Sequence, residues 1–320
     1  MFATGFFATA PIDELYEWFA ASAQDTSPTW GRLCRWIART PALRGRLDAL
    51  PGAKRQPNLF LAAVRYFGGP TSPGPEFLAW VEAHWDDVEA LIVQRETQTN
   101  EVGRAAVLAP LVASLPQPVS LLEVGCSAGL LLHLDAYRYR YSDRGLGEGP
   151  LIECESAGAP PALALPAIAA RAGLDRNPLD PADPEDARWL RALVWPGEDA
   201  REARLVECLA AARLRPATVL AGDAVEDLPR LLGCAAPGTT LVVMHSTVLP
   251  YLARDQRREF VAAVRAAGVH WVCLEGPRVL QDFVPVAGLI ASDDRDFFVL
   301  ALDGEPVALA HHHGAWVRWL

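Results

Sequence analysis

The sequence predicts an α/β fold: a helical N-terminal region, then a mostly parallel sheet that closes with an antiparallel hairpin. Three observations carry this. At Pro118 the helical spacing of apolar residues gives way to alternating strand and helix patterns. Just beyond, an apolar run from Val119 to Val124 ends in a glycine turn, Gly125-Cys-Ser-Ala-Gly129, with a helical pattern directly behind it. Near the end, Phe297 to Ala310 reads as two strands around an Asp303-Gly304 turn, which is antiparallel by construction.

Taken in order, residues 10–115 carry helical periodicity. Leu15, Trp18 and Phe19 share a face, as do Leu33, Trp36 and Ile37, and Phe77, Trp80, Val81 and Trp85. Pro41, Pro51, Pro57 and the stretch 68–75 divide this region into short helices. A longer helix is expected from about Glu101 to Ser114. The domain boundary falls at residues 117 and 118, leaving 1–117 as a helical cap or lid and 118–320 as the α/β domain. Strands are expected at 119–124, 137–142, 151–155, 217–221, 239–244, 269–274 and 296–302, with more between 306 and 319. Helices are expected at 128–136, 162–172, 184–193, 199–213, 225–232 and 254–267. Such alternation builds a parallel sheet with helices on both faces.

With 51% hydrophobic residues, 21% charged residues and ten tryptophans, the chain is able to bury a substantial core. Its net charge of −10 argues against an extended nucleic-acid surface, and Lys54 is the only lysine. The six cysteines are scattered without C-x-x-C spacing, as reduced, mostly buried thiols of a cytoplasmic protein would be. Neither a signal-peptide pattern nor a bilayer-length apolar stretch is present, so no membrane association is expected. Oligomeric state is left open.

The loop carries the chemistry. An acid at the strand's end with glycines two and six positions on (Glu123, Gly125, Gly129) resembles a cofactor loop. In G-x-G-x-x-G the middle glycine seats a pyrophosphate. Here Cys126, Ser127 and Ala128 stand between the glycines, a spacing closer to the E/D-x-G-x-x-x-G loop of S-adenosylmethionine (SAM) methyltransferases. The parallel sheet finished by one antiparallel hairpin agrees, being the seven-stranded, Rossmann-like layout of class I methyltransferases.

A SAM site also needs an acid for the ribose hydroxyls and a polar cap on adenine. Asp143, about twenty residues after Glu123, ends a strand-like run and is the ribose candidate or a turn residue; Glu155 is its rival. Asp223 follows the next strand and would meet the adenine amino group, cap a helix near Val225, or do both. Asn100 and Glu101 open a helix as a cap, or serve as a cofactor or substrate lid. His245 and Glu275 end strands, as a general base with its orienting carboxylate or as residues that satisfy loop amides. On a strand, His311 and His313 would share a face, but no further ligands stand at supporting spacing, so no metal is expected. Tyr137, Tyr139 and Tyr141 alternate with Arg138 and Arg140, the pattern of a strand with one aromatic face.

The stretches 95–104, 123–129, 134–141, 173–178, 189–196, 245–247 and 313–316 together resemble a bacterial family of uncharacterised proteins, a domain of unknown function with a SAM-methyltransferase-like core. The resemblance spans nearly the whole chain. It implies the fold and carries no settled reaction, so function rests on the site. The expectation is a SAM-dependent methyltransferase yielding S-adenosylhomocysteine, with an unknown small-molecule or protein acceptor. A non-catalytic SAM- or ligand-binding protein of the same fold is the alternative, because Ser127 stands where glycine is frequent and no Asn-Pro-Pro-Tyr-like acceptor motif is present. An NAD-dependent oxidoreductase is disfavoured by the loop spacing and the terminal hairpin.

Overall fold

The structure, a computed structural model, describes residues 9–98, 100–289 and 297–320. Thr99 and the first residue of the strand expected at 296–302 lie outside the described residues, as do residues 1–8 of the N-terminal region. By residue contacts the chain divides into two compact units, Met1–Thr99 with Asp183–Val206, and Asn100–Ala182 with Glu207–Leu320.

The first unit is helical. Its helices include Ile12–Ala23, Pro28–Ala38, Pro41–Asp48, Pro57–Tyr66, Pro75–Gln94 and Pro184–Ala192. Pro41, Pro57 and Pro75 sit at helix starts, where a missing N–H costs nothing. Ser27 caps the second of these helices by accepting from the Trp30 amide. Leu15, Phe19, Leu33, Ile37, Phe77, Val81 and Trp85 are buried, while Trp18, Trp36 and Trp80 are half-buried at the rim of the same faces. Arg95 forms a shielded ion pair with Asp186, and Lys54 donates to the Arg95 carbonyl.

The second unit is built on one sheet. Its strands are β1 (Val119–Val124), β2 (Arg138–Tyr141), β3 (Arg144–Leu146), β4 (Leu151–Ala157), β5 (Ile168–Asp175), β6 (Thr218–Ala221), β7 (Thr240–Ser246), β8 (His270–Glu275), β9 (Phe297–Leu302), β10 (Glu305–His311) and β11 (Trp316–Trp319). They lie in the order β3-β2-β4-β11-β10-β9-β8-β7-β1-β5-β6. Strands β6, β5, β1, β7 and β8 are mutually parallel, and β9 is antiparallel to β8. The expected C-terminal hairpin is β9–β10. The sheet has eleven strands rather than the expected seven, because β11 pairs with β4 and so joins the β2–β4 group to the C-terminal strands.

Two expected helices differ. Residues 162–172, whose alanines and leucines predict a helix, instead lead into β5 beside β1. Alanine's helical preference is worth only about 0.5 kcal/mol per residue, so tertiary burial overrides it. Ala172 and Leu174 are buried there, and a Cβ added to Gly173 would lie 2.3 Å from the Cys126 sulfur. The helix expected at 128–136 is a single 3-10 turn, Leu130–His133.

Strand alternation sorts the central residues onto two faces. Leu122, Val124, Leu174, His245, Trp271 and Cys273 fall on one face by register, and most of them join a buried cluster with Phe260 and Val264 of the helix Arg254–Ala266. Glu123, Asp175 and Ser246 fall on the other. All six cysteines are unpaired, and only Cys234 is not buried. No described helix is long and apolar enough to cross a membrane.

Candidate functional site

The turn after β1 is held mostly by its own neighbours. Gly125 N–H donates to the Leu174 carbonyl at 2.7 Å, Ser127 N–H to Asp175 Oδ2 at 2.7 Å, and Gly129 N–H to the Cys126 carbonyl at 2.7 Å. Gly125 and Gly129 take φ of +73° and +67°, which only glycine adopts freely. A Cβ on Gly125 would meet Val248 Cγ2 at 2.3 Å. The absent side chain therefore makes room for Val248. Ser127 is itself left-handed, with φ +50°, and its hydroxyl accepts from the Asn100 amide.

The acid beside this turn is Asp175, at the tip of β5, which pairs directly with β1. Its two carboxylate oxygens accept from the Ser127 and Asn177 amides at 2.7 and 2.8 Å. Asp143 and Glu155 are not brought here: Asp143 lies between β2 and β3, and Glu155 on β4, at the far end of the strand order. The expectation placed the ribose acid by its interval from Glu123, whereas the strands beside β1 are β5 and β7. Asp175 was legible only as part of the family-like stretch 173–178, because the preceding alanines masked its strand.

Glu123 is 3% exposed, and its Oε2 is buried with no hydrogen-bond partner among the described residues. Burial, reinforced by the charge of Asp175, pushes its pKa well above the usual carboxylate range, while the Arg104 guanidinium pulls the other way. Arg104 is also buried. Its Nε donates to the His312 carbonyl at 2.8 Å and its Nη1 to Ser246 Oγ at 3.3 Å. Sequence reasoning missed Arg104 as a site residue, because only the fold brings residues 104, 246 and 312 together.

Asp223, at the tip of β6, accepts from the Val225 amide at 2.8 Å and pairs with Arg176 at 2.5 Å. The Arg176 hydrogen bond is the main reason its pKa is lowered. Glu101 accepts from the Gly103 amide at 2.9 Å, which is a cap.

His245 and Glu275 are fully buried on the face opposite Glu123. His245 Nδ1 hydrogen-bonds Glu275 Oε1 at 2.9 Å, and its Nε2 accepts from the Trp271 indole N–H at 3.0 Å. Glu275 Oε1 also accepts from the Val248 and Leu249 amides at 2.7 and 3.1 Å. With both ring nitrogens engaged in the core, His245 has no lone pair left for a substrate proton, so the expected general base is a buried brace. Glu275 secures the loop amides, as its alternative reading had it.

Strand β10 ends at His311, so His311 and His313 do not share a strand face. The turn packs backbone to backbone against Gly103: a Cβ on Gly314 would lie 2.1 Å from the Gly103 carbonyl oxygen. Among the described residues no group of three or more His, Cys, Asp or Glu is arranged to hold a metal ion. Tyr137, Tyr139 and Tyr141 are buried, and their phenols donate to the Leu130, Leu134 and Ala106 carbonyls, as the aromatic face of a structural strand.

The chain belongs to a bacterial family described as an uncharacterized protein conserved in bacteria (DUF2332), which matches residues 13–319. No curated protein matches it.

Proposed function

We propose that the second unit binds SAM at the carboxyl ends of β1, β5 and β6 and serves as a methyltransferase toward a small-molecule or protein acceptor. The observation that carries this is Asp175, a carboxylate at the tip of the strand beside β1 and next to the glycine turn. Ligands of open parallel sheets bind at such strand ends. The residues fit the group. Asp175 is half-exposed and would accept from a ribose diol, Asp223 stands one strand further out, and Glu123 holds an unpartnered buried oxygen nearby on β1. SAM, when bound, supplies an electrophilic methyl on its sulfonium; the chain's part is to orient it and exclude water.

A dinucleotide fits poorly. Its pyrophosphate needs free amides, and those of Gly125, Ser127 and Gly129 already donate within the protein. Binding without catalysis is the second reading, favoured by the sealed His245. Formation of S-adenosylhomocysteine from SAM with amine, hydroxyl and thiol acceptors separates the two.

Calorimetry with SAM, S-adenosylhomocysteine and NAD tests the ligand. Asp175→Asn should weaken S-adenosylhomocysteine binding by about 1.5–3 kcal/mol, roughly ten- to a hundredfold, because a charged acceptor is lost. Asp143→Asn should leave it unchanged. Equal effects, or tighter binding of NAD, would overturn the assignment.

A further inference from the structure

Four non-glycine residues among those described have left-handed backbone: Ser127, Ser142, Thr247 and Asp303. Such a conformation is strained for any L side chain and worst for a β-branched one. In three of the four, the side chain accounts for itself inside the protein. Ser127 Oγ accepts from Asn100, and Ser142 Oγ accepts from the Ser156 amide at 3.3 Å. Asp303 accepts from the Trp271 amide at 2.7 Å and meets His270 Nδ1 at 2.8 Å. Thr247 is the exception. It is the β-branched one, at φ +61°, and its hydroxyl is buried with no hydrogen-bond partner among the described residues.

Glycine at 247 would remove the strain, and valine would fill the same space without burying an unsatisfied hydroxyl. The fold instead holds threonine there from both sides. Ser246 before it is bonded to Arg104 and to the Leu274 carbonyl, and Val248 after it is bonded to Glu275 and packs over Gly125. Thr247 thus follows β7 directly, at the carboxyl end of the strand next to β1. Arg104, a buried guanidinium, is bonded to Ser246, the residue directly before Thr247. A guanidinium beside a spare hydroxyl suits a group that ends in a carboxylate, as an amino acid does.

We infer that Thr247 is a ligand-contacting residue whose hydroxyl hydrogen-bonds the amino-acid end of the adenosyl ligand. The inference rests on the proposed SAM reading. It deepens that reading by giving the zwitterionic end of the ligand a recognition residue that neither the glycine turn nor His245 supplies.

The test compares S-adenosylhomocysteine with 5′-methylthioadenosine, which has the same nucleoside and sulfur but no amino-acid group. Thr247→Val keeps the branching and removes the hydroxyl. It should bind S-adenosylhomocysteine about tenfold more weakly and methylthioadenosine as the wild type does. Thr247→Ser should restore S-adenosylhomocysteine affinity. Thr247→Gly should raise Tm by roughly 2–4 °C while losing the same affinity, the signature of strain kept for a ligand. Equal losses for both compounds would mean that the residue acts through loop structure, and no loss for either would mean that the hydroxyl touches neither; both overturn the inference. A wild-type protein that binds neither compound would instead overturn the adenosyl reading itself, and this contact with it.

Discussion

Two buried glutamates end neighbouring parts of the same parallel sheet and lead opposite lives. Glu275 on β8 gathers His245, the Val248 amide and the Leu249 amide on one oxygen. The second oxygen of each is buried with no partner among the described residues, but Glu123 on β1 gathers no such set of donors, and it has Asp175 close enough to raise its pKa further and a guanidinium that only partly offsets this. Strand alternation puts them on different faces, one packed by the helix Arg254–Ala266 and the other lined by Asp175, Ser246 and Arg104. The difference teaches that an acid at a strand end is not by itself a functional signal. What separates a brace from a binding group is how many donors the fold already gives it.

The comparison breaks most visibly at Glu275. Glu275→Ala removes the acceptor shared by three donors, two of them buried, and should cost about 3–5 kcal/mol of stability, read by chemical denaturation. A loss below about 1 kcal/mol would mean that the donors find other partners and that Glu275 is no brace.

Glu123 should behave in the opposite way. Its folded pKa is raised above the ordinary value of 4.5, chiefly by burial. Above pH 4.5 the unfolded chain ionises while the folded chain resists, so wild-type stability falls as pH rises toward the folded pKa. Glu123→Gln cannot ionise and should be more stable than wild type by about 1–3 kcal/mol at pH 8. The gap should close as pH drops below 4.5. A variant less stable at pH 8 would mean that the ionised carboxylate is already satisfied.

This asymmetry was only partly legible in the sequence. The apolar runs of β1, β7 and β8 and the Asp303-Gly304 turn announced themselves, since strand periodicity and turn chemistry are local. Strand β5 did not, because its alanines carry a helical preference that only burial beside β1 reverses. With β5 hidden, Asp175 was hidden too, and the ribose role fell to Asp143 by counting residues. His245 and Glu275 were found, but their face of the sheet depends on register, and a shift of one residue exchanges core and site. Thr247 stood in a motif already noticed, yet its backbone conformation and its unpartnered hydroxyl are tertiary facts with no sequence signature.

The smallest expected effect lies at Ser127, on the Glu123 side. Its left-handed φ of +50° is strain that glycine would relieve, and its hydroxyl accepts a hydrogen bond from Asn100 that glycine would lose. Relief of strain is worth about 1 kcal/mol, and a neutral hydrogen bond about the same, so Ser127→Gly should move stability by no more than about 0.5 kcal/mol either way. Thermal unfolding of the variant measures the balance. A clear gain would say that the chain tolerates strain here to keep Asn100 at the turn, and S-adenosylhomocysteine affinity should then fall in the same variant. A clear loss would make the Asn100 contact a fold-holding one, and Glu123's face would then resemble Glu275's more closely than their hydrogen bonds suggest.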